Sequence, residues 1–247
     1  EKYALQYYVN FVNPVGCENR RKREVFTFLD ALGATRCYPL LLAGEEYLDE
    51  KDFLKLCWAI ELLTFRHSTI LKRDAKVLES LFYRLIRDIR QKRPINEMLE
   101  LFKKQESVKA DEQFKIAFGD FVPANHKQAR YVLLKIEEFV TGKKQTPLDW
   151  SGLTLEHILA EKLDWEGRSE YLERLGNLTL LSSKMNGDAA NKPFVEKKRK
   201  IYEREKRIKI TKDLKELSAF TKDIIVSRQK ELAEHAVKIW SPKTFGK

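Results

Sequence analysis

The sequence predicts a mainly helical protein with a small two-stranded β-ribbon towards its C-terminal end. Three observations predict it. Apolar residues recur at helical spacing through most of residues 1–142, two short β-like runs break that pattern at residues 153–155 and 178–181, and helical texture returns from about Asp188. The helical region ends at Gly142-Lys143-Lys144-Gln145-Thr146-Pro147, a polar stretch punctuated by Gly and Pro that reads as a linker. The expected domains are therefore a helical connecting domain over residues 1–145 and a second domain over 146–247 that carries the ribbon.

Taken in order, Tyr3-Ala4-Leu5-Gln6-Tyr7-Tyr8-Val9 opens the first helix. Val25, Phe26, Phe28, Leu29 and Leu32 space a second before Gly33 stops it. Residues 49–65 place Phe53, Leu56, Cys57, Ile60, Leu63 and Thr64 on one stripe, and residues 74–90 do the same with Val77, Leu78, Leu81, Phe82, Leu85 and Ile86. Pro94 opens a further helix, because proline suits a first helical turn and interrupts a later one. Residues 126–139 supply another. Leu153-Thr154-Leu155 then runs into Glu156-His157-Ile158, and Gly176-Asn177 leads into Leu178-Thr179-Leu180-Leu181. A last amphipathic helix spans about 221–240, with Ile224, Ile225, Arg228, Leu232 and Ala236 on one face. No internal repeat or low-complexity tract appears.

Composition excludes several classes. No apolar run is long enough to cross a membrane, and no signal-peptide pattern opens the chain. The first residue is Glu1, not Met, so the chain reads as the C-terminal part of a longer protein. Cys17, Cys37 and Cys57 are widely spaced and never form a CxxC, which argues against a zinc knuckle or disulfide framework and suits a reducing cytoplasm. The net charge of +10 is uneven: residues 1–150 carry +4 and residues 151–247 carry +6, with 11 basic against 4 acidic side chains over residues 184–212. Such a stripe is what phosphate-backbone binding needs, although a charged helix face that merely meets water has the same composition.

The residues around the ribbon can carry hydrolytic chemistry. Cutting a phosphodiester needs a base for water, a counter-charge for the phosphate and stabilisation of the leaving oxygen. A histidine at a strand end can take a proton at neutral pH, and a hard divalent cation, which prefers carboxylate and amide oxygens, can meet the other two needs. Glu156 and His157 are adjacent, so along a strand they point to opposite faces, yet at a strand end both can border one site. Asn177 can clamp the loop after His157 through backbone hydrogen bonds, since its amide both donates and accepts. Asn186 lies nine residues further on, where the second strand gives way to helix, and Asn191 five residues beyond that. Taken singly, Gly-Asn is a turn and Asn186 beside Gly187-Asp188 is a helix N-cap. Their joint order carries the functional reading.

Leu155-Glu156-His157-Ile158-Leu159, then Arg174-Leu175-Gly176-Asn177-Leu178-Thr179-Leu180-Leu181, then Asn186 and Asn191-Lys192-Pro193-Phe194, resembles the HNH domain at the C-terminus of GmrSD-type restriction endonucleases. Phosphorothioate-sensing phage-defence nucleases of the SspE type are similar, and the His-to-Asn-to-Asn layout resembles the HNH domain of RNA-guided CRISPR nucleases. The resemblance implies a ββα-metal nuclease domain and a metal-dependent DNA endonuclease of a modification-sensing defence system. In it His157 is the general base, Asn177 the loop clamp, and Glu156 and Asn186 the ligands of one Mg²⁺ or Mn²⁺, with Asn191 a second candidate at the metal. One such site cuts one strand, so nicking is the expected product. Lys184, Lys192, Lys197, Lys198 and Arg199 follow the metal site and are the candidate phosphate contacts, about half of them expected simply to face water. The resemblance also implies an N-terminal NTP-using, ParB-like partner domain with a D-G-Q-Q-R motif, which does not occur in these residues. Family members often carry proline where this chain has Ala160. His67, His126 and His235 lack acidic or Asn partners at similar spacing and read as structural or surface residues, and Trp150, Trp165 and Trp240 as core or hinge packing. Two rival readings stand beside this one: a catalytically silent DNA-binding module, and a fragment whose helices dock a partner domain.

Overall fold

The computed structural model describes residues 2–142 and 152–244. Lys143 to Pro147 of the expected linker, and Trp150, lie outside the described residues. Two compact units divide the chain: residues 1–114 with 240–247, and residues 115–239.

The first unit is helical. Its main elements are α1 (Lys2–Val12), α2 (Arg20–Ala31), α3 (Tyr38–Tyr47), α4 (Glu50–Thr64), α5 (Lys76–Arg90), α6 (Ile95–Lys103) and α7 (Glu106–Lys109), with α8 (Asp111–Gly119) crossing the division. The start and stop signals act locally as their chemistry dictates. Asn19 and Asp49 cap α2 and α4 by accepting from Lys22 and Asp52 backbone N–H groups. Gly33 takes the left-handed conformation (φ 63°) after α2, as a helix-stopping glycine does. Pro94 sits just before α6 as its cap residue. Helix α3 escapes a periodicity reading because Leu40, Leu41, Ala43 and Gly44 are all buried, which leaves little polar contrast around the helix. Gly44 is needed there: a Cβ would lie 2.9 Å from the Phe53 ring. Cys17, Cys37 and Cys57 are free and buried, and burial pushes the Cys37 thiol up to about 12.

His67 and Trp240 prove to be packing residues. His67 is buried between the Ser107 hydroxyl and the Asp74 carbonyl. The Trp240 ring stacks 4.1 Å from that of Phe65, and its carbonyl accepts from Arg66, which also reaches Asp111 and the Ser107 carbonyl.

The second unit holds the ribbon. After α9 (His126–Thr141), strands β1 (Leu153–His157) and β2 (Leu178–Ser182) pair antiparallel, Leu153 opposite Ser182 and His157 opposite Leu178. The intervening loop carries the single turn α10 (Arg168–Tyr171) and a 3₁₀ turn, Leu175–Asn177. The chain continues into α11 (Ser183–Ala189), α12 (Phe194–Lys197), α13 (Lys209–Lys212) and α14 (Lys222–Ile239). Ile158, Leu181, Phe194, Ile201, Tyr202, Phe220 and Ile225 form the core beneath the ribbon.

The compact division falls inside α8 and not near residue 145. Helix α9, assigned from sequence to the helical domain, packs against both strands and α14. Its buried Glu137 reaches further still, accepting the backbone N–H groups of Lys209 and Ile210 at 2.8 and 2.9 Å. A Gly/Pro signal marks where a chain turns, whereas domain membership is decided by burial between elements distant in sequence.

Candidate active site on the ribbon

The site is built on the end of β1 and the turn that enters β2. Asn177, fully buried, spans the loop after His157: its Oδ1 accepts Leu159 N–H at 2.9 Å, and its Nδ2 donates to the Leu159 carbonyl at 3.3 Å and the Leu172 carbonyl at 3.0 Å. The Asn177 backbone carbonyl also accepts Ile158 N–H at 2.8 Å. Ala160, where proline is common, lies in a loop braced by other means. Its carbonyl accepts from the Trp165 indole at 3.3 Å and from Leu163 N–H at 3.2 Å.

The turn bearing Asn177 is fixed from behind by α14. A Cβ on Gly176 would lie 2.2 Å from the Ile225 carbonyl oxygen, so only glycine permits this approach. Arg228 Nη1 donates to the carbonyls of Leu175, Gly176 and Leu178 at 2.7–3.0 Å, and burial pulls its guanidinium down to about 10. Gln229 accepts Gly176 N–H at 2.7 Å and donates to the carbonyls of Phe118 and Phe121. Sequence reasoning missed Gln229 and gave Arg228 only a place on the apolar face. A polar residue within a buried helical stripe was the available signal.

Asn186 sits inside α11; Ser182, not Asn186, caps that helix by accepting Met185 N–H. The Asn186 Nδ2 donates to Thr154 Oγ1 and the Leu155 carbonyl, both at 2.8 Å. A carbonyl can only accept, so the amide nitrogen must face β1 and Oδ1 is the end left for a ligand. Thr154 and Glu156 alternate onto one face of β1, which brings Asn186 to the strand face that carries Glu156. Asn191 is exposed on the turn between α11 and α12, directly after Ala190 at φ 41°, and no hydrogen bond links it to Glu156, His157 or Asn186 among the described residues.

Lys197 requires a correction. Read from sequence as a phosphate contact, it is fully buried, its Nζ 2.5 Å from Glu156 Oε1 and 2.6 Å from the carbonyl of His157. It faces inward because α12 presents it to the core side beside Phe194. Burial raises the Glu156 carboxyl and lowers the Lys197 ammonium, and their mutual attraction offsets part of each. The remaining basic residues divide. Lys184 and Arg199 are exposed, Lys198 donates to the Leu217 carbonyl at 2.8 Å, and Lys192 reaches the Asp188 carbonyl.

His157 ends β1 on the other face. Its ring is one-fifth exposed (19 %), and its Nε2 lies 3.0 Å from Glu173 Oε1, a partner the sequence did not single out.

Among the described residues no group of three or more His, Cys, Asp or Glu could enclose a metal. The donors present are one carboxylate, Glu156, whose Oε2 carries no hydrogen bond from the described residues, and the turned-out Oδ1 of Asn186. That pair suits a hard cation that keeps most of its water and completes its shell with substrate oxygens, and does not suit a closed zinc site.

Comparison with known proteins places this architecture. No curated protein matches the chain. The sequence pattern of the GmrSD restriction endonucleases, C-terminal domain, matches residues 108–235, more than half of the chain, and takes in both strands and every candidate site residue. This chain therefore belongs to the GmrSD restriction endonuclease C-terminal domain family.

Proposed function

We propose that the second unit is an HNH-type, metal-dependent DNA endonuclease of a modification-sensing restriction or phage-defence system, with nicking as its elementary act. The observation that carries this reading is the pinning of Asn186: both amide donors are spent on β1, so an oxygen is presented on the face bearing Glu156, while His157 ends the same strand. In this reading Glu156 and Asn186 hold one Mg²⁺ or Mn²⁺, which when bound supplies counter-charge to the phosphate and the leaving oxygen. Asn177 keeps the loop after His157 in place, and His157 takes a proton from water. Lys184, exposed on α11, and Arg199, exposed just after α12, meet the DNA backbone, with Lys192 and Lys198 as further candidates. The system's further partner is an NTP-using, ParB-like domain, and the compartment is the cytoplasm. No helix of the described residues is long and apolar enough to cross a membrane.

One observation favours the silent DNA-binding reading: the buried Lys197 ammonium on Glu156 supplies the positive charge that a cation would bring. Supercoiled plasmid separates the two. Incubation with the chain in Mg²⁺, Mn²⁺ or EDTA, beside His157→Ala and Asn186→Ala, gives open circles only with metal and only for the unaltered chain if the nuclease reading holds. Binding that survives EDTA without any cutting assigns the silent role instead.

A further inference from the structure

We propose that Glu173 is a positioning residue that keeps the His157 proton on Nε2, so that Nδ1 presents the lone pair that receives the proton from water. The proposal rests on the reading of His157 as the base, and it names the nitrogen that acts and the group that selects it.

An ionised carboxylate only accepts, and a neutral imidazole carries a single N–H. With Nε2 3.0 Å from Glu173 Oε1, that N–H is on Nε2, and Nδ1 is left with its lone pair free. No hydrogen bond from the described residues reaches Nδ1. Glu173 is also set apart from its neighbours. Glu166 pairs with Lys222 and Glu170 with Arg174, whereas among the described residues Glu173 pairs only with His157, in a chain that carries 47 Lys and Arg. The residues on either side of it are anchored. The Leu172 carbonyl is held by Asn177, and Arg174 lies over the Tyr171 ring at 4.6 Å and pairs with Glu170 and Asp120. Asn177 thus fixes both halves of the dyad, because the same amide bonds Leu159, just after His157, and Leu172, just before Glu173. A bond as exposed as this one contributes little to folding, so its consequence is orientation. In the reaction the water O–H bond breaks and an Nδ1–H bond forms. The water oxygen's electron pair goes to phosphorus, the P–O bond to the departing strand breaks with its own pair, and that oxygen takes a proton from solvent. The imidazolium so formed lies against the Glu173 carboxylate, which stabilises it.

Proton-detected ¹⁵N NMR of the imidazoles in the full chain tests this without relying on cleavage, with His157 assigned by the signals lost in His157→Gln. The expected result is an Nε2–H tautomer with a slowly exchanging Nε2 proton. That proton persists in Glu173→Gln, which keeps an acceptor, and disappears in Glu173→Ala. In the plasmid assay Glu173→Ala lowers kcat by roughly 10- to 100-fold, the range seen when the partner orienting a metal-bound histidine is removed, with KM for DNA unchanged and Glu173→Gln intermediate. An Nδ1–H tautomer in the unaltered chain, or an identical Nε2 signal in Glu173→Ala, overturns the proposal. A chain that shows the dyad by NMR yet cuts no DNA in any metal counts against nuclease activity of this chain on its own and leaves the tautomer assignment supported.

Discussion

Glu156 and His157 are neighbours in the chain and opposites in surroundings. Glu156 points inward, nearly buried, against the fully buried ammonium of Lys197. His157 points outward to Glu173, a carboxylate that is about half exposed (47 %). Strand alternation alone separates them, and the consequence is a difference in what each pair costs to break. A buried pair is expensive to break because the survivor is left charged in a poor solvent, whereas an exposed pair contributes little to stability and can be devoted to orienting a reactive group.

The largest expected effect breaks the inner pair. Lys197→Ala strands the Glu156 carboxylate and releases the carbonyls of His157 and Ile158, and should lower unfolding stability in urea by about 3–5 kcal/mol. The double change Glu156→Leu with Lys197→Met should recover most of that loss. If the double variant is as unstable as the single one, the pair is not the source of the cost.

Next in size is the frame that both residues share. Gly176→Ala drives a methyl into the Ile225 carbonyl and should cost about 1–3 kcal/mol, read from the same melts. Asn177→Ala leaves Leu159 N–H and the Leu172 carbonyl without their side-chain partner. It should cost about 1–3 kcal/mol as well, and hydrogen exchange should rise at Leu159 while β2 stays protected.

On the outer side the ordering reverses. His157→Ala should change stability by no more than about 0.5 kcal/mol, yet lower cleavage by roughly 10²- to 10⁴-fold, the range of general-base catalysis. A His157→Ala variant that unfolds readily would erase the contrast between the two faces. The smallest effects belong to the exposed cations. Lys184→Ala and Arg199→Ala should each weaken DNA binding evenly across sequences and reduce the slope of affinity against log salt by about 1, without altering the melt. Lys197, from the same basic stretch, should not behave like them.

The elements themselves were legible wherever local chemistry decides. The Gly33 stop, the stripes of α4 and α5, both ribbon strands and the order Glu156, His157, Asn177, Asn186 could all be read from periodicity, glycine signals and spacing. The family resemblance rested on those same residues, and the match over residues 108–235 agrees with it. Helix α3 was not legible, because its run Leu40, Leu41, Ala43 and Gly44 is buried together and polar residues enter only in its last turn, too few to reveal its period. Tertiary structure alone decided that α9 belongs with the ribbon, that Lys197 turns inward from a basic run, that Arg228 and Gln229 brace the turn at Gly176, and that Glu173 meets His157. Each of those four depends on groups brought together from different parts of the chain. Sequence by itself determines what a residue can donate, accept or bury, and the packing of remote segments determines which partner it finds.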